Sequence, residues 1–97
     1  MTEWLKQSEI RRALDYIPTP EDLTIALCQT EHRQIRGYNR YRLADAGKAL
    51  IAYYERKRDG AKRSMAWKYY TPKQRKDKLE LWQGKIDSVR EIVEGME

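Results

Sequence analysis

The stretch Arg33-Gln34-Ile35-Arg36-Gly37-Tyr38-Asn39-Arg40-Tyr41-Arg42 decides how the rest of the chain is read. Gly37 and Asn39 are turn residues, and Ile35, Tyr38 and Tyr41 favour extended backbone. Two conformations fit: a short β-hairpin over about residues 34–43, or an irregular loop. Both interrupt a chain whose flanks carry helical signals.

Downstream, Ala46, Ala49, Leu50, Tyr53 and Tyr54 recur at helical spacing and predict a helix over residues 44–58. Asp59-Gly60 either stops that helix or weakens it. The segment 61–70, with Met65, Ala66 and Trp67, reads as helical. Thr71 is a cap with Pro72 at the first helical position, so a last helix should run to Glu94 with Gly95 beyond it. Along it Leu79, Trp82, Ile86, Val89 and Val93 step by three and four, a heptad seam. That seam serves either the protein's own core or self-association.

Upstream, Thr19 caps Pro20, and Glu21 and Asp22 complement the positive end of the helix dipole. Leu23, Ala26 and Leu27 supply the buried stripe, and the helix should end near Gln29 or Thr30. A first helix is expected over residues 2–16, capped by Thr2, with Ser8 as an alternative start. Pro18 ends it, because the residue before a proline avoids helical backbone. The fold expected is mostly α: one small domain of four or five helices spanning 1–97.

The chain has 97 residues, with 20 Lys and Arg against 15 Asp and Glu, for a net charge of +5. Mean hydropathy is −0.96. Aliphatic residues are scarce and Phe is absent, so the core should be small and aromatic-assisted. No apolar run approaches the roughly 20 residues of a membrane span. The N-terminus shows neither a basic start nor an apolar stretch of a signal peptide. With Cys28 alone there is no internal disulfide. These features point to a cytoplasmic protein.

The charge is segregated. Residues 1–32 carry net −3, residues 33–78 carry net +11, and residues 79–97 carry net −3. Three basic groups lie in the middle. Arg33, Arg36, Arg40 and Arg42 interleave with Tyr38 and Tyr41. Arg56, Lys57, Arg58, Lys62 and Arg63 follow. Lys73, Arg75, Lys76 and Lys78 come after Trp67, Tyr69 and Tyr70. Guanidinium groups fork onto phosphate, and tyrosine rings stack on bases or pack on sugars. A cation-rich segment without interspersed acids attracts polyanions with a strong salt dependence. A solvated helix face is the plainer explanation of such charge, but it does not account for the segregation or the recurring aromatics.

Catalytic signals are weak. Cys28 and His32 stand four apart, and two ligands do not complete a zinc site. As a nucleophile and base they lack a third group to orient the imidazole. Gly47 lies in Ala44-Asp45-Ala46-Gly47-Lys48, which lacks the spacing of a phosphate-binding loop. No enzyme activity, cofactor or metal is expected.

The stretch Arg40-Tyr41-Arg42-Leu43-Ala44-Asp45-Ala46-Gly47-Lys48-Ala49-Leu50 resembles the wing strand and following helix of winged-helix regulators. Residues 19–27 resemble the helix that supports their recognition helix. Together these cover about a fifth of the chain. The resemblance implies DNA contact by residues 30–36 and a wing at about 37–40. Only residues 28–39 separate the two matches, shorter than a recognition helix followed by a strand.

The leading expectation is a non-enzymatic nucleic-acid-binding protein, with DNA placed ahead of RNA. Its contacts would come from Arg33, Arg36, Tyr38, Arg40, Tyr41, Arg42, Arg56, Lys57, Arg58, Lys62, Arg63 and Trp67. The alternative is an adaptor or inhibitor, of the kind small phage and mobile elements encode, that binds an acidic surface of a larger nucleic-acid-processing protein. Arg, Tyr, Trp and Met, all abundant here, are interface residues.

Overall fold

Residues 33–42 form a hairpin. Arg36 and Gly37 both take positive φ, +52° and +82°, the backbone of the tight turn that matches strand twist. The turn therefore sits at Arg36-Gly37, and Asn39 belongs to the following strand. The structure, a computed structural model, describes residues 3–95. In chain order the elements are β1 (Trp4–Leu5), α1 (Gln7–Ala13), α2 (Pro20–Leu27), β2 (Arg33–Ile35) and β3 (Tyr38–Arg42). Then come α3 (Leu43–Ala61), a 3-10 turn (Met65–Tyr69) and α4 (Pro72–Gly95). The fold is mostly α, a small single domain with one three-stranded antiparallel sheet of order β1-β3-β2.

The N-terminus differs from expectation. Instead of one helix over 2–16, Trp4 and Leu5 pair with Arg42 and Tyr41 of β3, and only Gln7–Ala13 is helical. Thr2, the expected cap, lies outside the described residues. The Lys6 N–H donates to Glu9 Oε1 at 3.0 Å, satisfying one free donor at the helix start. Asp15 and Tyr16 take positive φ and turn the chain out of the helix ahead of Pro18. The Arg11 Nε–H donates to the Pro18 carbonyl at 2.9 Å and ties the turn back.

The other caps follow their residues. Thr19 Oγ1 accepts from the Asp22 N–H at 3.1 Å, with Pro20 at the first position. Thr71 and Gln74 cap α4 reciprocally, each side chain accepting from the other's N–H. Asp59-Gly60 does not stop α3, which runs on to Ala61. Within residues 61–70, Ala61 closes α3 and Met65–Tyr69 form a short 3-10 helix, so the helical segment expected here is present but tighter and shorter.

Ile10, Leu14, Leu23, Leu27, Leu50, Tyr54, Ile86 and Val89 are almost completely buried in one core. α3 and α4 pack as an antiparallel pair. Of the heptad seam, Ile86, Val89 and Val93 are buried in this core, Trp82 packs half-buried on Tyr54, and Leu79 is half-buried. The seam is thus used inside the fold. Gly47 sits where the end of α4 crosses α3. A Cβ there would land on the Val93 side chain, so the close approach of the two helices requires a residue without one.

Candidate nucleic-acid interface

Strand alternation sorts the hairpin into two faces. Directly paired residues share a face: Arg33 with Arg40, Ile35 with Tyr38, and Trp4 with Arg42. These point away from the core, since Leu5 and Tyr41 on the opposite face pack into it. Tyr41, expected at the binding surface, is 4% exposed and cannot reach a ligand. Tyr38, an odd number of residues away, is 59% exposed.

The outward face is built of cations on rings. The Arg33 guanidinium lies 4.7 Å from the Trp4 ring centroid and that of Arg42 lies 5.3 Å from it. Lys6 Nζ is 4.5 Å from the Tyr38 centroid. Such stacking holds long side chains in place while leaving their N–H donors outward. Arg33 and Arg40 stand directly opposite each other across the strands, a like-charge pair that disfavours the sheet. Among the described residues Arg33 has no carboxylate within 4.0 Å.

The remaining arginines are tied to different degrees. Arg40 donates to the Trp4 carbonyl at 3.4 Å and faces Glu9 at 3.8 Å. Arg42 bridges Glu31 and Asp45. Arg40 and Arg42 thus have structural duties as well as charge. Arg36 occupies the turn tip, exposed, in a left-handed conformation that non-glycine residues take at a cost.

The basic groups do not merge into one surface. The hairpin adjoins the start of α3, whereas Arg56, Lys57 and Arg58 lie fourteen or more positions along it, about 20 Å away at 1.5 Å per residue. There Arg58 is held by Asp59 and Gln83. Lys62 and Arg63 are exposed just past the helix. Lys78 of α4 joins Arg56 and Lys57 around one cleft. Trp67 is half-buried near that end. Its carbonyl accepts from Arg75 Nε–H at 3.0 Å, and the Arg75 guanidinium lies 5.5 Å from its ring. It packs against the first turn of α4 through Arg75, remote from the hairpin in sequence.

The helix implied by the winged-helix resemblance at residues 30–36 is absent. That segment is turn and strand, because α2 already ends at Leu27. The hairpin turn does fall where the resemblance puts the wing. Residues 13–32 contain no Lys or Arg at all, so α2 and the connection to the hairpin bring no positive charge to this end.

Nothing local in the sequence marks Trp4 and Lys6 as part of this face. Their signal exists only once β1 is known to pair with β3. Cys28 is exposed. His32 lies beyond the helix with its ring centroid 5.8 Å from that of Tyr41. The described residues hold no cluster of three metal-ligating side chains and no helix long and apolar enough to cross a membrane. No protein family, curated protein or solved structure is found to be similar to this chain.

Proposed function

We propose that the chain is a non-enzymatic nucleic-acid-binding protein that grips a phosphate backbone, preferentially of cytoplasmic DNA, with the outward face of its hairpin. The observation that carries this reading is the facing pair Arg33 and Arg40 beside Arg42, with Arg33 and Arg42 over the Trp4 ring and Arg36 at the tip. A like-charge cross-strand pair is unfavourable in the free protein and is relieved by a bound polyanion. The left-handed arginine at the tip supports the same reading, since strain of this sort gathers where function needs a side chain. Phosphate contacts of this kind position a protein without reading sequence.

The test is fluorescence anisotropy of labelled duplex DNA, single-stranded DNA and RNA across a salt series. Arg33→Ala with Arg36→Ala should weaken binding on every sequence. It should also flatten the slope of log affinity against log salt by about 2, roughly 0.9 for each duplex phosphate no longer neutralised. An unchanged slope refutes the reading. Arg40 is left intact because its removal would also loosen β1.

A second reading, an adaptor or inhibitor on a larger protein, draws on a different surface. Ile25 and Leu81 remain 52% and 53% exposed beside the cations at the far end of α3.

A further inference from the structure

We propose that the far end of the α3–α4 pair is a docking groove for an acidic amphipathic helix of a partner protein. The proposal deepens the adaptor reading and stands apart from the hairpin.

A cleft of about 600 Å³ opens between α2, the end of α3 and the first turns of α4. Ile25, Tyr53, Ala61 and Trp82 supply its apolar surface, and Arg56, Lys57 and Lys78 rim it. A second hollow of about 320 Å³ adjoins it, lined by Tyr70, Gln74, Asp77, Lys78 and Leu81. Lys78 stands between the two. Neighbouring residues of α4, Leu81 and Trp82, thus face different hollows of one continuous surface.

Charge identifies the occupant. Among the described residues none of Arg56, Lys57 and Lys78 has a carboxylate within 4.0 Å, whereas the acids nearby are engaged elsewhere. Asp59 pairs with Arg58, Glu80 with Lys76, and Asp22 accepts from the Tyr53 hydroxyl at 2.9 Å. Asp77 alone lines the second hollow as an acid. Three unpaired cations around exposed aliphatic side chains call for a partner with carboxylates flanking apolar anchors. Nucleic acid fits this surface poorly, because bases stack on flat rings, whereas the most exposed apolar side chains here are Ile25 and Leu81, Tyr53 is buried, and Trp82 and Tyr70 are half-buried. Two adjoining hollows argue for an extended ligand. A helix presents anchors at i, i+3 and i+7, the outer pair about 10 Å apart, which is the spacing such a groove reads.

The probe is a fluorescein-labelled synthetic peptide with leucines at i, i+3 and i+7 among glutamates. A scrambled peptide of the same composition is the control. Anisotropy and tryptophan emission are read together. The patterned peptide should bind at least about tenfold more tightly than the scrambled one. Lys57→Glu with Lys78→Glu, and separately Ile25→Ser, should each weaken it about tenfold. All three positions are solvent-accessible, and circular dichroism checks that the variants fold. Arg33→Ala with Arg36→Ala should leave peptide binding unchanged, so failure here and failure of the hairpin reading are separable. Equal binding of the two peptides, no binding of either, indifference to the cleft substitutions, or displacement of the peptide by duplex DNA would each overturn the proposal.

Discussion

Replacing Gly47 by alanine should destabilise the protein, although alanine is the better helix former. In a helix interior the exchange contributes about 1 kcal/mol of stability by propensity alone. Gly84 of α4 tests that term cleanly, since a Cβ there meets nothing within 4 Å. Gly84→Ala should therefore raise stability by about 1 kcal/mol, or about 4–8 °C in Tm for a domain of this size. At Gly47 the new Cβ lands on Val93 Cγ2, with the other two Val93 side-chain carbons at 3.5 and 3.6 Å. Val93 has little rotamer freedom within a helix and is 8% exposed. Forcing the two helices apart costs about 1–3 kcal/mol. The balance is a loss of about 0–2 kcal/mol, so the two glycines should differ by about 1–3 kcal/mol. In a Val93→Ala background the obstruction is gone, and Gly47→Ala should regain its favourable sign. Urea unfolding followed by circular dichroism measures all four corners of the cycle. If Gly47→Ala stabilises as much as Gly84→Ala, α4 does not cross α3 at this point.

The adjacent core tyrosines should respond in opposite directions. The Tyr54 hydroxyl is buried with no hydrogen-bond partner among the described residues, so Tyr54→Phe should stabilise by about 1 kcal/mol in urea unfolding. Tyr53→Phe loses the bond to Asp22 and should cost about 1 kcal/mol. Burial, then the Asp22 hydrogen bond and charge, push the Tyr53 phenol up to about 12 from its usual 10. The unfolded chain thus releases this proton first, and the Tyr53 contribution stays whole below pH 10 and is lost between 10 and 12. A pH series of unfolding should show a shallower alkaline fall in Tyr53→Phe than in the parent; identical curves would count against it. Arg36→Gly relieves the left-handed backbone and should stabilise by about 1 kcal/mol while weakening DNA binding, the two measured on the same preparation.

Much of the helical frame was legible because helix starts are written locally. Thr19-Pro20 and Thr71-Pro72 put a hydroxyl and a missing N–H in adjacent positions, and both helices begin there. The N-terminal strand was not legible. Two residues carry no periodicity, and Trp4-Leu5 becomes a strand only because β3, more than thirty positions away, has a free edge. The hairpin's sidedness was available in principle. Tyr38 and Tyr41 are an odd number apart, so any strand through both must send them to opposite faces. Only in an irregular loop could the two rings share one surface. The division of the basic middle into two ends could not come from composition, because it depends on α3 running unbroken past Asp59-Gly60. The heptad spacing of α4 was visible, but its partner was not, since a stripe of that width suits α3 as well as a second chain.

The brevity of β1 has a kinetic consequence. Its two residues join the sheet across a closure far longer than the hairpin's own two-residue turn, so this pairing forms late and opens first. Trp4 is also the ring that Arg33 and Arg42 rest on. Local opening of β1 therefore dismantles the cation-bearing face without unfolding the helices. Native-state hydrogen exchange should find the β1 amides far less protected than those of α3 and α4. A polyanion seated on the hairpin should slow exchange there first, which makes the flickering of this short strand a direct gauge of occupancy.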